Sequence, residues 1–161
     1  MSNELGSPEY ARTLEQSANM RETVEKGICP FCKLDSKLNK LIREGVHWNM
    51  WHNPFPYPRH RNHIVIASKR HLTALDELVG EIWNELIALI RWAEKEYNLP
   101  GGAIVMRFGD PKYNAGTLRH FHVHIQVPDG SGPAMVVLAK ISSFDSGSQN
   151  MEVLKAFLPP E

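Results

Sequence analysis

Residues 120–127 read His-Phe-His-Val-His-Ile-Gln-Val, three histidines at two-residue steps with an apolar residue in each gap. Successive side chains of an extended strand point to opposite faces. The segment is therefore predicted to be a strand with His120, His122, His124 and Gln126 on one face and Phe121, Val123, Ile125 and Val127 on the other. One face packs and the other does chemistry. Imidazoles spaced this way stand roughly 6 to 7 Å apart, at about 3.3 Å per residue, and address one small ligand or ion together. A lone strand histidine is ordinarily a hydrogen-bonded structural residue, but a row of three is costly to bury and folding alone does not ask for it. Two chemistries fit the row: a metal site, or a nucleophilic or acid-base histidine site.

The only cysteines are Cys29 and Cys32, in Cys29-Pro30-Phe31-Cys32. Such a pair is either a redox centre or half of a zinc site. Redox pairs of the thioredoxin kind open a helix after a strand, whereas Glu25-Lys26-Gly27 predicts a helix ending just before this pair. Zinc is the favoured reading. Two thiolates supply half of a tetrahedral shell and histidines the rest, and the residues alone leave any of the eight histidines as partners.

Eighteen basic and eighteen acidic residues cancel to zero net charge, so no global field favours nucleic acid or an anionic membrane, and neither is an expected partner. A local basic patch remains compatible with phosphate binding. The chain has no apolar run of about eighteen residues, and Met1–Pro8 lacks the cationic and apolar regions of a signal peptide, so a cytoplasmic location is expected. At 161 residues it suits one core.

Around the triad strand the elements can be placed coarsely. Residues 1–27 form an extension with an accessory helix over 8–26, Leu14, Ala18 and Val24 on one side and Gly27 as its stop. Residues 28–141 form the catalytic domain, and 142–161 a polar tail with a short helix at Met151–Leu158. Within the domain, Leu34–Glu44 is predicted to be a short helix closed by Gly45, Val46–Trp51 a strand, and His63–Ala67 the next strand after a proline-rich break. Leu78, Ile82, Leu86, Leu89, Ala93 and their neighbours predict a long core helix over Asp76–Tyr97, opened by a Thr73–Asp76 cap and ended by Asn98 and Pro100. Strands at Gly102–Phe108 and Ala134–Ile141 flank the triad strand. The expected fold is α+β: an antiparallel sheet of about five strands packed with one long helix and shorter N- and C-terminal helices.

The segment Ala115-Gly116-Thr117-Leu118-Arg119-His120-Phe121-His122-Val123-His124-Ile125 resembles the signature of the histidine triad superfamily, a small-residue loop with Ser or Thr leading into His-x-His-x-His. Arg61–His71 is similar to that family's His-apolar strand, basic turn and second histidine. The resemblance spans about residues 29 to 128. It implies a histidine-triad sheet and an enzyme that cleaves a phosphoanhydride or phosphoramidate at the α-phosphate of a nucleotide, of the diadenosine polyphosphate type. It also implies a phosphohistidine intermediate, since a neutral imidazole nitrogen is a competent nucleophile that splits one displacement into two.

Carried over by resemblance, His122 is the nucleophile, its other ring nitrogen donating to a carbonyl, and His63 and His124 hold phosphate oxygens and help protonate the leaving group. Asn114, Gly116 and Thr117 belong to a phosphate cradle of backbone amides and one hydroxyl. Asn53 meets the ribose, with Asn49 as its alternative and Trp48, Trp51 and Phe55 as walls of a base pocket. His71 and His120 complete the zinc shell of Cys29 and Cys32, and with four protein ligands that zinc is structural. The family's habit of pairing through the long helix and an edge strand implies a homodimer, seeded by Trp83 and Trp92.

The chain departs from the family pattern at Asn62, where a glycine is usual, at Gly116, where Gln is usual, and at Gln126, where the residue is apolar. The last permits a shifted register, His122-x-His124-x-Gln126, similar to diadenosine tetraphosphate phosphorylases and hexose-phosphate uridylyltransferases, with His124 as nucleophile. The first register is preferred because Thr117 lies three residues before His120, as in the hydrolases. The turns at Gly109-Asp110 and Pro128-Asp129-Gly130 also look like those of bacterial or archaeal diadenosine polyphosphate hydrolases. From other classes, a zinc metallohydrolase using the three histidines as ligands and a non-catalytic nucleotide-binding module stay open. The cysteines weigh against the metallohydrolase.

Overall fold

The computed structural model describes residues 5–8, 11 and 14–138. Its centre is a five-stranded sheet of β1 (Leu41–Glu44), β2 (Trp48–His52), β3 (His60–Ser68), β4 (Ala103–Arg107) and β5 (His122–Pro128). The spatial order is β1-β2-β3-β5-β4, and every neighbouring pair is antiparallel. Helix α1 (Leu14–Lys26) precedes the sheet, α2 (Glu81–Glu96) joins β3 to β4, and a single turn, α3 (Pro111–Asn114), lies between β4 and β5. The fold is α+β, as the alternation of polar and apolar residues predicts. Among the described residues no helix is long and apolar enough to cross a membrane.

The two-residue period of β5 and its neighbours divides the sheet into two faces. Trp48, Met50, Ile64, Ile66, Phe121, Val123, Ile125 and Val127 pack against Leu86, Leu89 and Ala93 of α2 in one core. The indole N–H of Trp48 donates to the carbonyl of Ile82 at 2.8 Å, pinning helix to sheet. On the opposite face Trp51, Val65 and Ala67 form a smaller cluster with Phe31 and Leu34. Directly opposed residues share a face, so the rows Ala67–His122–Arg107 and Val65–His124–Val105 lie on this second side.

Several elements differ from the sequence reading. Leu34–Glu44 is not a helix: the Asp35 side chain accepts from the Lys37 amide at 2.8 Å and its carbonyl from Asn39 at 2.7 Å, which closes a turn, and Leu41–Glu44 then pairs with β2 as an edge strand. Residues 134–138 of the expected last strand are irregular, and 139–141 lie outside the described residues, so β1 rather than that segment is the fifth strand. The long helix starts at Glu81 because Gly80, at φ 53°, turns the chain. Upstream, a 3-10 turn spans Leu75–Glu77, and the Glu77 carboxylate accepts from the amides of Thr73 and Ala74. In α1, Leu14 is 87% exposed and Met20 is the buried residue, so the packed side is not the predicted one. Gly27, at φ 65°, does end that helix. The expected helix at Met151–Leu158 lies outside the described residues.

Candidate functional site

Two constellations meet where the chain enters β5. The triad was predicted to lie wholly on a strand, yet β5 begins at His122 and His120 sits in the bend before it. That bend turns the His120 ring out of the row. Its Nε2 lies 2.8 Å from the Ser68 carbonyl and 3.0 Å from the Ser68 hydroxyl. A carbonyl only accepts, so Nε2 carries the ring proton and Nδ1 offers its lone pair. Burial pushes the His120 imidazole down to about 4, which keeps it neutral at pH 7.

The lone pair of His120 Nδ1 faces Cys29 Sγ at 3.3 Å, His71 Nδ1 at 3.2 Å and Cys32 Sγ at 3.6 Å, and Cys32 Sγ lies 3.3 Å from His71 Nδ1. Together the four donor atoms lie within 4.8 Å of one another. A tetrahedral shell with bonds of about 2.0 to 2.3 Å has edges of roughly 3.3 to 3.8 Å, and these separations match. Burial and the neighbouring Cys29 sulfur push the Cys32 thiol up to about 11. Two thiolates so close call for a cation between them. The cluster is therefore able to hold a metal ion, and its four members are those named from the sequence.

Two residues further on, at His122, the pattern returns to the strand. The ring of His122 folds back so that Nδ1 lies 2.6 Å from the backbone carbonyl of His120. Burial lowers its proton affinity to about 4, with the nearby Arg107 cation acting in the same direction. The ring is neutral at pH 7. The ring centres of His122 and His124 are 5.0 Å apart, and those of His124 and His63 4.9 Å. His124 Nδ1 lies 2.9 Å from His63 Nε2, and the Tyr57 ring stacks on His63 with centres 5.3 Å apart and planes 8° from parallel. The Asn53 amide nitrogen stands 3.0 Å from His63 Nε2.

His122 and His124 line a solvent-open depression of about 110 Å³, together with Asn53, Trp51, Phe55 and the loop Ala115–Leu118. Thr117 and Gly116 thus face the pocket, whereas Asn114 shapes the loop. Its Oδ1 accepts from the Gly116 amide at 2.7 Å and its Nδ2 donates to the Phe108 carbonyl at 2.7 Å. One of the expected cradle amides is thereby already engaged. A Cβ at Gly116 would stand 2.7 Å from that Oδ1, so a larger residue there would displace the Asn114 amide. Trp48 is not a pocket wall, because it lies in the core on the other side of the sheet.

Among the pocket contributors that the sequence reading did not assign to the site are Phe31, Tyr57, Arg107 and the α1 face of Gln16, Asn19 and Met20. Arg107 left a signal, since the period of the predicted strand Gly102–Phe108 puts it on the face of Val105 rather than of Ile104 and Met106. The Phe31 ring stands edge-on to His120, His122 and Trp51 at 5.5, 5.2 and 5.2 Å, so the cysteine knuckle also walls the pocket. The N-terminal arm reaches the same loop, where Gly6 bridges Leu118 and the Ser7 amide donates to the Thr117 carbonyl at 2.9 Å.

No protein-family model and no curated protein matches the chain. Solved structures do. A histidine triad nucleotide-binding protein from Candida albicans is similar with a TM-score of 0.53 and 14% identity, over 78% of this chain and 92% of that one. A hypothetical histidine triad nucleotide-binding protein from Sulfolobus tokodaii gives 0.51 and 17%, over 80% and 87%. A zinc-bound histidine triad family protein from Mycobacterium smegmatis gives 0.50 and 21%, over 80% and 91%. At these identities the likeness concerns architecture: the chain has the fold of the histidine triad proteins.

Proposed function

We propose that the chain is a nucleotidyl hydrolase or transferase that cleaves a phosphoanhydride or phosphoramidate at the α-phosphate of a nucleotide, of the diadenosine polyphosphate type, through a phosphohistidine on His122. The observation that carries this reading is the 2.6 Å contact of His122 Nδ1 with the His120 carbonyl. Because the carbonyl can only accept, Nδ1 holds the proton and Nε2 keeps a lone pair for phosphorus. The likeness to structures described as histidine triad nucleotide-binding proteins supports the nucleotide.

The steps follow from the neighbours. The His122 Nε2 pair forms an N–P bond while the bond from phosphorus to the leaving group breaks, its electron pair going with the leaving group. The Tyr57 amide, 3.3 Å from Nδ1, and the Asn53 side-chain amide, 3.0 Å from Nε2, hold the His63 ring, and His63 Nε2 and His124 Nδ1, 2.9 Å apart, share a proton. The departing atom takes its proton from the His124–His63 pair, with solvent replacing it. Water attacks next, its proton leaves by the same pair, and the N–P electrons return to Nε2. In this reading His63 and His124 do the acid-base work, the Thr117 hydroxyl meets a phosphate oxygen, Gly116 and Asn114 shape the loop beneath it, and Asn53 and the pocket aromatics place the nucleoside.

Cys29, Cys32, His71 and His120 would hold a structural zinc. Four protein donors leave it no open position, so it cross-links the knuckle, the turn after β3 and the entry to β5. We place the protein in the cytoplasm as a homodimer joined through α2 and edge strand β4, where Trp83 and Ile104 are 38% and 50% exposed.

Replacing His122 with Ala should lower turnover of diadenosine tetraphosphate at least about a thousandfold while nucleotide binding persists, because its role lies in the covalent step. An acid-labile nucleotidylated protein should form with the unaltered chain. An active His122→Ala protein beside an inactive His124→Ala protein would move the nucleophile to His124. Elemental analysis of protein purified without chelator should find about one zinc per chain, and Cys32→Ser should lower both zinc content and melting temperature. A zinc-free, equally stable wild type contradicts the metal assignment. Light scattering should give twice the chain mass at micromolar concentration, and a monomer there removes the dimer.

A further inference from the structure

Arg107 ends β4 directly opposite His122 and is 4% exposed. A buried guanidinium brings a permanent charge and five N–H donors that need acceptors. Its Nη2 donates to the Tyr57 hydroxyl at 3.3 Å and to the Val137 carbonyl at 3.0 Å. Its Nη1 is buried with no hydrogen-bond partner. Among the described residues the ion pairs are Lys26–Glu22 and Lys69–Glu44, so no carboxylate there neutralises it. An unpaired buried charge is expensive, and an apolar side chain of similar length would fill the same space without that cost. Packing explains neither the charge nor the unsatisfied donor.

The placement does. Arg107 lines the pocket with His122 and His124, and its side chain passes close under Gly116, where a Cβ would stand 3.7 Å from Arg107 Cδ. Tyr57 and Val137 hold one end of the guanidinium, so the other end is oriented before any ligand arrives. We infer that Arg107 is the anion anchor of this pocket, its Nη1 group taking a non-bridging oxygen of the phosphate that His122 attacks. This rests on the nucleotidyl-transfer reading above. The anchor favours ligands that carry a phosphate over the bare nucleoside. Because the charge on those oxygens persists through both displacements, the same contact serves the transition states.

The test is calorimetric binding of AMP, inorganic phosphate and adenosine to the full-length protein. The unaltered chain should bind AMP at least about tenfold more tightly than adenosine. Arg107→Gln should weaken AMP and inorganic phosphate about 10- to 100-fold, the scale of one charge-assisted hydrogen bond, and leave adenosine unchanged. Arg107→Lys, which keeps the charge should the glutamine variant fail to fold, should restore part of the loss. Equal binding of AMP and adenosine by the wild type, or undiminished AMP affinity in Arg107→Gln, overturns the anchor. Undiminished affinity alongside normal wild-type turnover leaves nucleotidyl transfer standing and removes only the anchor. Conversely, Arg107-dependent phosphate binding in a wild type that forms no nucleotidylated histidine retains the anchor and removes the transfer reaction.

Discussion

The hydrogen bond from the His122 ring to the His120 carbonyl couples the two halves of this structure. It is only 2.6 Å long and wholly buried. Its acceptor is held by the residue whose own ring is fixed between Ser68 on one side and the two cysteine sulfurs and His71 on the other. Ordering of the cysteine knuckle is thus passed through one backbone carbonyl to the tautomer of the next histidine. Were that carbonyl displaced, the His122 proton could settle on either nitrogen, and the lone pair on Nε2 that the proposed attack needs would be lost part of the time.

Burial completes what the hydrogen bond begins. It holds His122 neutral, with a pKa near 4, and the Arg107 cation opposes its protonation further. A neutral imidazole beside a fixed positive charge suits the proposed attack on an anionic phosphate: the ring keeps its lone pair and the guanidinium would offset the charge that repels it. Phe31 makes the arrangement compact, because one ring closes the pocket wall and stands edge-on to both His120 of the cluster and His122.

Much of this was legible in the chain. Strict alternation along 120–127 predicted the two-faced strand, and Cys29-x-x-Cys32 pointed to a metal cluster, but its histidines, His71 and His120, came only from the family resemblance. The bend that moves His120 off the strand was not legible, since alternation continues through it and only the pull of Ser68 and the sulfurs reveals it. Leu41–Glu44 carries just four residues and a mostly exposed pattern, too little for a period, so its strand character comes from pairing with β2. The start of α2 was misread because apolar positions continue upstream of Gly80, whose positive φ outweighs them. The period of Gly102–Phe108 places Arg107 on the histidine face, but nothing in the chain shows that β4 and the proline-rich segment carrying Tyr57 converge on the histidines.

The central claim is that phosphorus is attacked twice, first by His122 and then by water. Each in-line displacement inverts the configuration at phosphorus, so the most direct test is the stereochemistry of hydrolysis of a nucleotide made chiral at an α-phosphorothioate, carried out in isotopically labelled water. Two displacements predict net retention. Net inversion would mean that water attacks the substrate directly, and would contradict the account.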